Sequence, residues 1–210
     1  MRLPDRFFLT GTDTDVGKTL TAAALCAAGG WSYWKPIQAG TEPTTDTQRV
    51  QELSDARTWP EAYRLAQPAS PNQAARNEGL PLDVHRITPP PADRLLVEGA
   101  GGWMVPLSDA PRTDTADLVR HLSLPALVVA RSGLGTLNHT RLTVRAIQSD
   151  GVVCLGVILV GAEHADNEAD LTRLLHAPVL GRLPHVAGPI TATSPAWRAL
   201  VKHARHILSA

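Results

Sequence analysis

Short apolar runs alternate with helix-forming stretches along most of the chain. Phe7-Phe8-Leu9 opens the series as a strand with no polar alternation, and Leu20 to Ala28, rich in alanine and leucine, follows as a helix. Ser32 to Lys35 reads as a second strand ended by Pro36, and Thr45 to Ala56 as a polar helix or loop. Between Thr58 and Pro91, prolines at 60, 68, 71, 81, 89, 90 and 91 break any period, so loops and short helices are expected. Alternation resumes with strands over Arg94–Glu98, Ala126–Ala130, Val152–Val160 and Val179–Leu183. The helices between and after them are Thr115–Leu122, Leu137–Ser149, Leu171–His176 and Pro195–Leu208, the last with Ser194 as N-cap and Pro195 at N1. Apolar strands without strict alternation, each followed by a helix, predict a three-layer α/β fold with a mostly parallel sheet covered on both faces.

Composition narrows this little but usefully. The 210 residues, 43% of them apolar, suffice for one sizeable core and are few for two, so a single domain over 1–210 is expected. Twenty basic and twenty acidic side chains cancel, which gives no electrostatic reason to bind nucleic acid or an anionic membrane. Cys26 and Cys154, set among small and aliphatic residues, read as buried hydrophobes in a reducing compartment. Arg2, Asp5 and Arg6 leave no apolar leader, and no run approaches the ~20 residues that span a bilayer, so a cytoplasmic protein is expected.

The candidate chemistry lies where predicted strands end. Gly11-Thr-Asp-Thr-Asp-Val-Gly17-Lys18-Thr19 joins the first strand to the first helix, where successive backbone N–H groups and the helix N-terminus can cradle a phosphate. Lys18 can then reach the β- and γ-phosphates, and the Thr19 hydroxyl is placed for Mg²⁺. The usual spacing has glycine at the position of Thr12, so the motif is a variant of the phosphate loop. Glu98 closes Leu95-Leu96-Val97 and runs into Gly99-Ala100-Gly101-Gly102, the position of an acid that holds Mg²⁺ opposite Thr19. Lys35 and the stretch from Arg131 to Leu137 share the same rim, because ligands of parallel sheets bind beyond the carboxyl ends of strands. Trp103, directly after the glycines, is placed to wall the site.

Four segments in this order resemble the dethiobiotin synthetase family of ATP-dependent cyclo-ligases: the loop at 11–19, Lys-Pro-Ile-Gln-Ala-Gly at 35–40, Val-Glu-Gly-Ala-Gly-Gly-Trp at 97–103, and Leu-Gly-Thr-Leu-Asn-His-Thr at 134–140. The resemblance implies a P-loop NTPase fold with about seven strands and a homodimer with shared active sites. It also implies a reaction of 7,8-diaminononanoate, CO₂ and ATP that yields dethiobiotin for biotin synthesis. Carried over by position, Lys18 and Lys35 serve catalysis, and Thr19, Asp46 and Glu98 hold Mg²⁺. Asp15 to Leu20, Asp46, Glu98 to Gly101, Val160, Gly161, Pro184, His185 and Val186 surround the nucleotide. Thr14, Lys35 and Ala39 meet the substrate, with Gly135, Thr136, Leu137 and Asn138 of the partner subunit at its carboxylate.

Three positions depart from the family pattern. Ala39 stands where a serine or threonine is usual, Asp15 where glutamate is commoner, and Val160 where an asparagine reads the adenine edge. Valine makes no such hydrogen bond, so relaxed base selectivity is expected. A partitioning-type ATPase switch and a nucleotide-binding paralogue that has lost catalysis remain open as alternatives.

Overall fold

The computed structural model describes residues 3–209; Arg2, part of the charged N-terminal stretch, lies outside them. In chain order the elements are β1 (Arg6–Gly11), α1 (Lys18–Gly29), β2 (Ser32–Trp34), β3 (Ile37–Ala39), α2 (Asp46–Ser54), β4 (Thr58–Trp59), β5 (Tyr63–Leu65) and α3 (Pro71–Glu78). They continue as β6 (Leu95–Gly102), β7 (Pro106–Asp109), β8 (Arg112–Asp114), α4 (Thr115–Leu122), β9 (Ala126–Arg131), α5 (Thr136–Ser149), β10 (Cys154–Gly161), α6 (Ala165–Leu174), β11 (Val179–Pro184) and α7 (Pro195–Ser209). Seven strands form one sheet in the order β11-β10-β9-β1-β6-β2-β4. Every pairing within it is parallel.

The unbroken apolar strands have a simple cause. Successive side chains point to opposite faces, and both faces are covered. Phe7 and Leu9 of β1 join Leu96, Leu127, Val129 and Ile158 in one core, with Leu25 of α1, Val50 of α2 and Leu200 of α7. Phe8, between them, faces the other core with Leu95, Val97, Val128 and Val157, against Ala74 of α3, Val119 of α4, Val144 of α5 and Leu171 of α6. β1 lies between β6 and β9, so the chain's connections diverge to either side of it. A crevice at its carboxyl end follows, and the phosphate loop emerges there.

Several sequence expectations change. α1 starts at Lys18, inside the motif, and β6 runs on through its glycines to Gly102. α6 begins at Ala165, six residues before the expected Leu171, because its first turns are polar and exposed and only Leu171 reaches the core. The proline-rich segment holds two short strands, β4 and β5, besides α3 and a 3-10 turn at Val84–Arg86. β3 and the β7–β8 hairpin have no counterpart in the expectation. Cys154 is only half-buried, unlike Cys26. Trp103 does not wall the site; it is buried in the second core, and its indole N–H donates to Asp150 Oδ2 at 2.7 Å. No helix among the described residues is long and apolar enough to cross a membrane.

Candidate active site

The phosphate loop is shaped by two residues in the left-handed region, Asp15 at φ 56° and Gly17 at φ 97°. Glycine at 17 is required twice over. It alone adopts this conformation without strain, and an added Cβ would lie 3.1 Å from Val160 Cγ1 on the adjoining β10. No side chain caps α1, so the free N–H groups of its first turn face the loop's interior. Lys18 curls back across the loop, its ammonium donating to the Asp13 carbonyl at 3.0 Å. Val16 turns its side chain into the core below. Arg131, at the end of β9, donates to the Thr14 carbonyl at 3.3 Å.

Beside this loop the carboxyl end of β2, the middle of β6 and the start of α2 converge. The Thr19 hydroxyl lies 2.6 Å from Asp46 Oδ1 and 2.9 Å from Glu98 Oε1. Lys35 bridges the same two acids, 2.9 Å from Asp46 Oδ2 and 3.2 Å from Glu98 Oε1. Asp46 is held in place from its own helix: Thr45 and Gln48 form a reciprocal capping box, and the Asp46 N–H donates to Gln38 Oε1 at 3.2 Å. Three hard oxygens thus meet at one point, a donor set suited to Mg²⁺. One hydroxyl proton cannot serve two carboxylates equally, so the set fits an added cation. Among the described residues no group of three or more His, Cys, Asp or Glu could hold a metal by itself. A cation here therefore needs further oxygens, such as those of phosphates.

The electrostatics are those of a dense ion cluster in a dry place. Burial drives the Lys18 ammonium below its usual pKa, only partly offset by the charge of Glu98. Burial acts on Lys35 in the same direction, but the charges of Glu98 and Asp46 prevail and raise it. Burial would raise Asp46; the Lys35 charge and hydrogen bonds from Thr19, Lys35 and Gln38 hold it below the ordinary range instead. Lys35 is thereby held as a cation and Asp46 as an anion near neutral pH.

A cleft of about 1040 Å³ gathers the predicted residues. Thr14, Asp15, Gly17, Lys18, Thr19 and Leu20 line it from the loop, and Lys35, Ala39, Asp46, Glu98, Ala100 and Gly101 from the neighbouring strand ends and α2. Gly99 faces away, its Cα against the Phe8 ring. Val160 and Gly161 flank the loop, and the His185 N–H donates to the Gly161 carbonyl at 3.3 Å, fastening the Pro184–Val186 turn to β10. These last residues are outside the cleft's lining, whereas Gly188, Pro189 and Ile190 are part of it. Gly135 to Asn138 form the start of α5, with Gly135 at φ 92° as N-cap and Thr136 hydrogen-bonded to Thr140 at 3.0 Å. They do not enter this chain's own cleft.

Arg49 and Tyr33, like the Gly188–Ile190 wall, escaped the sequence reading. Arg49, one turn beyond Asp46, donates to the Ile190 carbonyl at 2.7 Å and joins α2 to the far wall. Tyr33 donates its hydroxyl to Glu98 Oε2 at 2.9 Å. A contact across 141 positions leaves no local signal, and a tyrosine in an apolar strand reads as core.

Known proteins resemble this chain along most of its length. A family model described as an AAA domain matches residues 5–190. The ATP-dependent dethiobiotin synthetase BioD of Sphingopyxis alaskensis is 46% identical over 187 residues, covering 89% of this chain and 91% of the relative. That of Nitrobacter hamburgensis is 47% identical over 191 residues, covering 89% and 88%. Among solved structures, a ParA family ATPase from Chlorobium tepidum aligns at 12% identity with TM-score 0.55, covering 98% of this chain and 93% of that one. A chain of the MinC:MinD cell division protein complex of Aquifex aeolicus shares the fold alone in the same way, at 17% identity and TM-score 0.51, covering 97% and 96%. Identity of this extent, with the phosphate loop, both lysines and both carboxylates meeting in one cleft, means that the chain belongs to the ATP-dependent dethiobiotin synthetase family.

Proposed function

We propose that this protein joins 7,8-diaminononanoate, CO₂ and ATP into dethiobiotin, ADP and phosphate. The observation that carries the reading is the convergence of Lys18, Lys35, Asp46, Glu98 and Thr19 beside the phosphate loop. One substrate amine captures CO₂ as a carbamate. A carbamate oxygen then attacks the γ-phosphorus as ADP leaves, and the second amine attacks the mixed anhydride, expelling phosphate and closing the cyclic urea. No protein nucleophile is required. Lys18 and Lys35 offset the charge that develops on carbamate and phosphoryl oxygens, and their burial keeps that effect unscreened. Thr19, Asp46 and Glu98 would hold Mg²⁺, whose chemistry there is to neutralise the triphosphate. Thr14 borders the carbamate end of the substrate. Carbon-13 from labelled bicarbonate is expected in the ureido carbonyl of the product by mass spectrometry; unlabelled product would overturn the scheme.

The active form on this reading is a cytoplasmic homodimer. The exposed start of α5 supports it: the free N–H groups of Leu137 and Asn138 suit a carboxylate, and Leu134 and Leu142, large apolar side chains left open to solvent, border them. Asn138→Asp would repel the substrate carboxylate, and Lys35→Ala would disable the other half of each site. Mixing the two inactive variants is expected to restore about a quarter of wild-type activity, because half of the dimers are mixed and each has one intact site. No recovery, with mixed dimers present, would contradict shared sites.

At the nucleotide end, Val160 supports relaxed base selectivity, since its side chain packs on Gly17 and offers no hydrogen bond. The base would rest against Gly161 and Pro184 to Val186. Values of kcat/KM for ATP, CTP and GTP are expected to agree within about a hundredfold, roughly 2.7 kcal/mol. A larger preference for ATP would contradict this.

A further inference from the structure

Glu98 is almost fully buried, and its two oxygens have separate duties. Oε1 faces the cleft, within reach of Thr19 at 2.9 Å and Lys35 at 3.2 Å. Oε2 points into the protein and accepts from Tyr33, whose side chain is completely buried. Adjacent parallel strands bring the two together: Tyr33 of β2 pairs with Leu96 of β6, so Glu98, two residues on, projects from the same face. Among the described residues the Tyr33 hydroxyl has no other partner. The torsion that turns a glutamate carboxylate is broad, so nothing intrinsic decides which oxygen faces the cleft. Phenylalanine would fill the same space and leave that torsion free.

We propose that Tyr33 is a positioning residue for Glu98: its hydroxyl fixes the carboxylate so that Oε1 is presented to the cation held with Thr19 and Asp46. The proposal rests on the reading of Glu98 as a Mg²⁺ ligand. Tyr33 is not part of the cleft's lining and acts through the orientation of the ligand, as hydrogen-bond partners behind metal ligands commonly do. The Glu98 oxygen left without Tyr33 has no water to turn to, because the side chain is buried on that side.

Calorimetric titration of ADP into wild type and Tyr33→Phe, each with Mg²⁺ and with EDTA, tests this without relying on turnover. The variant is expected to lose about tenfold in affinity for ADP with Mg²⁺ and to match wild type in EDTA. Equal affinities in both conditions, or an equal loss in both, would overturn the proposal. Wild-type affinity indifferent to Mg²⁺ would overturn it together with the metal reading, so the two failures are distinguishable. Should the variant not fold, the wild-type chain still gives an answer, because it has two tyrosines, Tyr33 and Tyr63. Fluorotyrosine labelling yields two fluorine resonances, assigned with Tyr63→Phe. The Tyr33 resonance is expected to move on adding ADP with Mg²⁺ and to move less with ADP in EDTA; the same shift in both overturns the proposal.

Discussion

Lys35→Ala is expected to lower kcat for dethiobiotin formation by about a thousandfold, the loss typical when a cation at a transferring phosphoryl group is removed. Among the described residues, Lys35 is the one cationic side chain in contact with both Asp46 and Glu98, at 2.9 and 3.2 Å. Its deletion therefore also leaves two carboxylates facing each other. Breaking a buried pair costs about 3–5 kcal/mol, and the cost here belongs near the lower figure because the Asp46 side chain is 31% exposed and solvent screens it. The melting temperature of the variant without nucleotide should fall accordingly. Addition of ADP with Mg²⁺ should recover much of the lost stability, since a dication supplies the missing charge, yet turnover should stay low. A variant that regained activity along with stability would show that Lys35 serves only the fold.

Gly17→Ala should weaken ADP binding by about a hundredfold while the sheet stays intact. The left-handed conformation at φ 97° costs an alanine about 1–2 kcal/mol. Its Cβ would also sit 3.1 Å from Val160 Cγ1, and Val160 is a stiff β-branched residue on a paired strand. The loop then has to move off β10, taking its N–H groups out of register with the phosphates. Combining the change with Val160→Ala separates the two causes. Recovery of part of the affinity in the double variant assigns that part to the steric contact and the remainder to backbone strain. Titration of ADP against both variants reads this directly, and wild-type affinity in Gly17→Ala would contradict the account of the loop.

How far the sequence exposed the fold depended on where stability comes from. The long strands were legible because both faces of the sheet are buried, so β1, β9 and β10 carry continuous apolar runs that few other structures tolerate. β4 was not, because its two residues pair only with Tyr33 and Trp34 and carry no pattern of their own. β6 outran its apolar residues for a steric reason. Gly99 lies so close to the Phe8 ring that a Cβ would meet it at 2.7 Å, and Gly102 pairs with Gly11, so glycines here permit strand contact instead of ending it. In the site, the Gly17-Lys18-Thr19 signal was local and therefore readable. Asp46 was readable only through the family resemblance, since a carboxylate in a polar loop is ordinary until Lys35 and Thr19 are seen beside it. Arg49 and the Gly188–Ile190 wall are joined only in three dimensions.

The central claim is a reaction in which each phosphate released accompanies one ring closed. Phosphate release from ATP with Mg²⁺ and bicarbonate, measured with and without 7,8-diaminononanoate while dethiobiotin is followed by mass spectrometry, tests it most directly. Release that depends on the diamine and matches dethiobiotin one to one is the predicted result. Slow release at the same rate without the diamine, and no dethiobiotin, would contradict the account and return the chain to the reading of an ATPase switch or a nucleotide-binding paralogue without catalysis.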